Sequence, residues 1–318
     1  MPQPDAKDAT LSPSGMGLAT GCDLLWGLVP IYWKAITDIP AAEVLIPRIL
    51  WTLVLLAVGA AVSGRLHETS GADWRTWSWN ALAAFFLAAN WGLFVWAVQT
   101  DQVIATSLGY YINPLMSILL GLLILGERLN RIQGGAVAIA ALGVATLTIR
   151  AGELPWISLL LAISFALYGL IHKMRPQPPL AGLMREMMVL SPLCLLGLLW
   201  LARAASDSSL IDADVGMHAY LSLTSVVTAA PLLLFHAATK RLPLVAVGMF
   251  QYIAPTITLL LATLVWNESF TQAHATGFGL VWLGLVIFTA DSVRRARAQR
   301  ERLAPLAGEL PLAPDGEH

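Results

Sequence analysis

Runs of about 18 to 25 residues with little or no charge recur along the whole chain, separated by short polar breaks. At 1.5 Å per residue each run can cross roughly 30 Å of hydrocarbon as a helix. The pattern predicts an all-α membrane protein with ten transmembrane helices, over 17–36, 43–63, 77–99, 103–126, 132–150, 155–173, 180–202, 215–238, 244–266 and 273–293. The longest breaks, after residues 63 and 202, hold about a dozen residues, too few for a soluble catalytic domain. Residues 1–16 are polar, rich in Pro, Ser and Asp, and lack a basic leader region, so they read as a disordered arm before a retained first helix. Residues 294–318 read as a basic and then disordered tail.

Composition agrees with this. The 318 residues are 57% hydrophobic and carry only 19 Lys and Arg and 20 Asp and Glu, about half the charged fraction of a soluble domain. With ten spans both termini share one side, and that side collects Lys7, Arg65, Arg75, Arg128, Arg131, Lys173, Arg175, Lys240, Arg241, Arg294, Arg295, Arg297, Arg300 and Arg302. The other side has only Lys34, Arg150 and Arg203. The positive-inside rule then makes both termini of this multi-pass protein cytoplasmic. The basic run 294–302 can touch anionic lipid headgroups or simply continue a solvated helix. Cys22 and Cys194 both fall inside spans, which favours buried thiols over a disulfide or metal site. No phosphate-binding loop, metal-ligand spacing or nucleophile triad is evident, so no cofactor, metal or nucleic-acid partner is expected.

Displacing the chain against itself by 141 residues aligns 88–148 with 229–289 at 16 identical positions. Tyr111-Ile112 falls on Tyr252-Ile253, Pro114 on Pro255, Glu127 on Glu268, and Leu142-Gly143 on Leu283-Gly284. The chain therefore reads as a duplicated five-helix unit, 17–150 and 155–293. Five is odd, so the second copy must enter the membrane from the opposite side. Matched loops do exchange charge: the loop after the fourth span carries Arg128 and Arg131, whereas its mate after the ninth has no Lys or Arg. Inverted repeats of this kind are associated with alternating-access transport.

Pro114 and Pro255 occupy matching mid-depth positions, and a proline within a helix frees carbonyl acceptors and bends or breaks the axis. Paired helix breaks in two inverted halves point to a substrate site between them, although prolines also serve as plain packing kinks in membranes. Tyr110, Tyr111 and Asn113 surround the first proline, and Gln251 and Tyr252 the second. Trp26, Tyr32, Asn90, Trp91, Trp96, Tyr168 and His236 are further candidates for a cavity, with core packing or interface anchoring as the alternative for each. Arg48 and Arg185 lie inside spans near opposite ends, where each costs about 2.5–3.5 kcal/mol on insertion scales unless it snorkels or faces protein. The inverted arrangement suggests two gates, Arg48 with Glu268 and Arg185 with Glu127.

The stretches "DLLWGLVPIYWK" (23–34), "PRILWT" (47–52), "NWGLFVWAV" (90–98), "SLGYYINPL" (107–115), "LGERL" (125–129) and "FQYIAPT" (250–256) resemble the RarD group of EamA-type transporters, in the drug/metabolite transporter superfamily. The resemblance implies ten helices, two EamA repeats and an inner-membrane permease of generally ill-defined substrates, with export favoured; the reading is a transporter of a small organic solute. It also raises interest in Lys34 as a functional cation. Asp23 departs from that pattern, which expects a neutral residue there, and is the foremost candidate for a protonatable group, making the proton a possible partner besides solute and membrane lipid. The rival readings are a membrane-embedded lipid-modifying enzyme, which needs a convergent acid, base or metal set, and a non-transporting membrane subunit.

Overall fold

A computed structural model describes residues 12–33, 39–69, 71–100, 103–151, 156–204, 208, 210–267 and 272–308. Among them the regular structure is helical. The first half contributes α1 (Pro13–Trp33), α2 (Ala41–Val62), α3 (Trp74–Gln99), α4 (Val103–Leu123) and α5 (Arg131–Ala151). The second contributes α6 (Trp156–Met174), α7 (Pro179–Ala204), α8 (Val215–Ser222) with α9 (Thr224–Arg241), α10 (Leu244–Phe250) with α11 (Ile253–Leu260), and α12 (Gln272–Gly308). Eight helical stretches are long and apolar enough to cross a membrane; the described apolar part of α4, Gly109–Leu123, is shorter. α1 has 21 residues but carries Asp23 in its buried face.

Helix ends differ from the sequence expectation in three places. α1 begins at Pro13, inside the segment expected to be a disordered arm, and α12 carries the basic run to Gly308. The eighth span is divided at Leu223, where Ser222, Thr224 and Ser225 each turn a hydroxyl onto a carbonyl three residues back (2.5–2.6 Å). Such side-chain bonds compete with the helical ladder.

The two halves pack on each other in matched pairs. α1 lies against α9 as α6 lies against α3; α2 meets α9 as α7 meets α3; α4 meets α6 as α1 meets α11; and α2–α7, α4–α10 and α5–α12 are each a helix against its own mate. The α5–α12 pair shows why the Gly columns recur. A Cβ on Gly143 would sit 2.5 Å from the Gly277 carbonyl, and one on Gly284 would sit 2.6 Å from the Ala136 carbonyl. These are the same contact made twice, since 136 and 277, like 143 and 284, are 141 apart. Backbones this close require small residues. The turn after α4 and the turn after the π-helical stretch Leu261–Val265 that continues α11 also match, with Gly126 and Asn267 both left-handed (φ 64° and 54°), a conformation Gly and Asn adopt most readily.

The contacts place the halves in opposite senses. Gly15 at the start of α1 abuts Leu242, just past α9; Lys173 at the end of α6 donates to the Leu242 carbonyl; and Glu127, just past α4, meets the start of α10. So the first helix of one half begins at the end of the bundle where the first helix of the other half finishes. That end also carries Arg128, Arg131, Lys173, Lys240 and Arg241, and is called the basic end below.

Candidate functional site

Where α4 crosses α10, the two backbones touch. A Cβ on Gly248 would lie 2.7 Å from the Pro114 carbonyl and 2.8 Å from Ile118. Pro114 does not break its helix: α4 is continuous through it. The second half does break, at Gln251 and Tyr252, which separate α10 from α11. Pro255 stands in the first turn of α11 with no N–H to return to the Gln251 carbonyl, so the interruption falls one turn ahead of the proline. The crossing gathers Asn113, Ser117, Gln251 and Tyr252. The Ser117 hydroxyl donates to Gln251 Oε1 at 3.1 Å, whereas Asn113 Oδ1, Gln251 Nε2 and the Tyr252 hydroxyl are buried without a hydrogen-bond partner among the described residues. Buried polar atoms left unpaired are costly and uncommon, so three on the residues that flank one crossing stand out from ordinary packing. Tyr111 is drawn away from this group, its ring edge-on to Phe278 of α12 at 4.9 Å.

A second group surrounds Arg48 of α2. Its Nε donates to Thr228 Oγ1 at 2.8 Å, and its guanidinium lies over the Trp91 ring, 3.9 Å from the centroid, with Trp33 at 5.5 Å. Tyr110, 55% exposed, faces the same arginine and packs edge-on against Phe94. A cation flattened on an indole face is favoured most where water is excluded. Lys34 and Glu268, the proposed partner of Arg48, lie outside the described residues.

At the basic end the expected Arg185–Glu127 pair is absent. Arg185 donates to Gln177 Oε1 at 2.8 Å and to the Glu68 carbonyl. Glu127 instead accepts the backbone N–H groups of Leu244 and Val245 at 2.7 and 2.8 Å. The first N–H groups of a helix have no intrahelical acceptor and carry its positive end, so they compete with an arginine for the carboxylate. The remaining candidates hold structure. Asn90 ties α3 to the Leu161 carbonyl and Ser164 of α6. Tyr32 stacks on Tyr220 at 4.7 Å and donates to its carbonyl. Trp26 packs on Phe165 and Phe235, and Trp96 on Trp156. Asp23 is 3% exposed, and its Oδ1 has no hydrogen-bond partner among the described residues.

Tyr168 and His236, read from the sequence as separate cavity candidates, belong to one cluster with His172 and Glu186, two residues the sequence reading passed over. The four come from α6, α7 and α9 and are at most 4% exposed. The ligating atoms of His172, Glu186 and His236 all lie within 4.8 Å of one another. The two imidazoles, however, stack face to face at 3.6 Å with planes 28° apart. An ion must lie near the plane of each ring it binds, and two such rings cannot share one without turning, so the arrangement is not a preformed metal site.

The EamA-like transporter family matches residues 13–149 and again 154–290, one match to each half. An "Uncharacterized transporter" of Vibrio cholerae is 38% identical over 300 residues, covering 93% of this chain and 98% of that protein. "Protein RarD" of Streptomyces exfoliatus is 39% identical over 317 residues, covering 96% and 97%. One solved structure, titled "Crystal structure of protein", has the same fold, with a TM-score of 0.68 at 17% identity over 88% of this chain and 98% of its own. With the inverted, helix-against-mate packing described above, these likenesses mean that the chain belongs to the EamA-like transporter family and is a multi-pass membrane transporter of the RarD type.

Proposed function

We propose that the chain is an inner-membrane permease that moves a small organic solute, in the direction of export, by rocking its two inverted halves about the α4–α10 crossing. The observation that carries this reading is the trio of buried, unpartnered polar atoms on Asn113, Gln251 and Tyr252, which a passing solute or its water can satisfy. Arg48 over Trp91, beside Tyr110, adds an aromatic-lined cation toward the end opposite the basic one. Glu127 on the start of α10 then acts as a latch at the basic, cytoplasmic end. Both termini face the cytoplasm on this reading, in keeping with the charge bias of the loops.

The test is uptake and efflux of a panel of metabolites and antibiotics, chloramphenicol among them, in proteoliposomes of the full chain. Asn113→Ala and Gln251→Ala serve as comparisons. The reading predicts saturable movement of at least one solute that both substitutions slow. No movement of any solute, with turnover of the vesicle lipid instead, would replace it with an enzyme.

A further inference from the structure

The cluster of Tyr168, His172, Glu186 and His236 needs one more proton than its neutral side chains and ionised Glu186 together provide. Tyr168 Oη lies 2.5 Å from His236 Nε2 and 3.0 Å from Glu186 Oε2. His172 Nε2 lies 2.9 Å from Glu186 Oε1 at an angle too poor for a directed hydrogen bond. The other ring nitrogen of His236 faces the Pro179 carbonyl, an acceptor only, so a neutral His236 keeps its proton there and leaves Nε2 as a lone pair. The single Tyr168 hydrogen can then serve only one neighbour. Given to His236, it leaves the tyrosine oxygen facing the Glu186 carboxylate with no hydrogen between them. Given to Glu186, it leaves two lone pairs opposed at 2.5 Å. A further proton removes the conflict, either on His236 Nε2, pairing an imidazolium with the carboxylate, or on Glu186 Oε2, as an acid donating to Tyr168. Both arrangements are electrically neutral, whereas the cluster without that proton carries a buried negative charge. A second added proton would give the buried cluster a net positive charge with no carboxylate left to balance it, and on the ionised-Glu186 route it would place two cations on rings stacked at 3.6 Å.

Among the described residues no Lys or Arg offers a substitute charge: Arg48 of α2, which packs on α7 and α9, is held by Thr228 and Trp91. From α1 the cluster meets Cys22 and, beside it, Asp23. Arg185 of α7 is turned outward to Gln177 and Glu68. Lys173 of α6 is engaged with the Leu242 carbonyl. α10, which also packs on α6 and α9, has no titratable residue.

We propose that Tyr168, His172, Glu186 and His236 form a binding site for a single proton, and that its loss to the basic side loosens the packing of α6 against α7, α9 and α1. The proton site stands on the geometry alone; its use to drive solute movement rests on the permease reading.

Two measurements on full-length protein in lipid nanodiscs test it without a transported solute. Infrared and histidine NMR spectra between pH 5 and 9 should show one cluster proton, as a buried carboxylic acid or an imidazolium, that is absent in Glu186→Gln. Finding Glu186 ionised and both rings neutral throughout would overturn the site, as would stoichiometric zinc binding that leaves the spectra of the remaining protein intact. In the Cys194→Ala background, maleimide labelling of Cys22, taken relative to Glu186→Gln at the same pH, should be equal within about twofold while the proton is bound. It should rise at least about tenfold once the proton is lost. A ratio that stays flat while the spectra titrate would overturn the coupling. Tyr168→Phe, which keeps the packing, supplies a second comparison if Glu186→Gln does not fold; it should shift the pH at which the proton leaves, and an unchanged titration would overturn the network. A solute panel that shows no transport would sink the permease reading and leave these results standing.

Discussion

Replacing Glu127 with alanine exposes the closing contact at the basic end to direct measurement. The carboxylate receives the N–H groups of Leu244 and Val245 at 2.7 and 2.8 Å. The first intrahelical bond of α10 is made only by Val247, to the Pro243 carbonyl, so those two N–H groups depend on Glu127. Hydrogen bonds to a charged group contribute about 1.5–3 kcal/mol each, and a carboxylate at a helix start adds about 0.3–1 kcal/mol. Glu127 is half-buried, so water recovers part of the loss, leaving about 3 kcal/mol, or roughly a hundredfold in the opening equilibrium. Hydrogen exchange over residues 243–250 reads this at the amides concerned. In Glu127→Ala the Leu244 and Val245 amides should exchange about a hundred times faster, and Glu127→Gln, which keeps one acceptor oxygen, should fall between. Exchange within threefold of the parent in both variants would refute the capping argument.

Three further outcomes follow from the same contacts. Gly143→Ala, whose Cβ meets the Gly277 carbonyl at 2.5 Å, should lower the unfolding midpoint by the equivalent of about 1–3 kcal/mol, whereas Gly134→Ala on the same helix, with nothing within 4 Å, should be neutral or stabilising. Thr228→Val removes the acceptor of Arg48 Nε and should cost about 1–3 kcal/mol in denaturant unfolding, a cost that shrinks in an Arg48→Gln background. Glu68 is held below the usual carboxylate range by its hydrogen bond from Arg65, so its contribution is present above about pH 4.3 and is lost as pH falls through the lowered value. Comparing Glu68→Gln with the parent should show that loss at low salt only, since the pair is solvent-exposed.

The all-helical, membrane-spanning character and the duplication were legible because hydrocarbon acts on every residue of a span, and because backbone contact leaves a mark in small-residue columns. Gly143 and Gly284 recur for the contact they make, and Gly126 and Asn267 for the turn they form. The pairing of charges was not legible. Matching Arg185 to Glu127 by sign ignored the start of α10, which offers the carboxylate two N–H groups at closer quarters. Nor does a proline's presence say whether a helix breaks: α4 absorbs Pro114 while its mate parts at Gln251 and Tyr252. The Tyr168–His172–Glu186–His236 cluster was hidden because its members come from three helices with no fixed spacing. The one available sign was ionisable residues inside apolar spans, at His172, Glu186 and His236.

The account depends most on the two halves entering the membrane in opposite senses. Single cysteines at Arg128 and Gln272, both exposed positions at the two matched turns, in a background without Cys22 and Cys194, allow an impermeant maleimide to decide it in intact cells. The account predicts that position 272 labels at once and position 128 only after the membrane is opened. Equal labelling of both from outside, or protection of both, would contradict it.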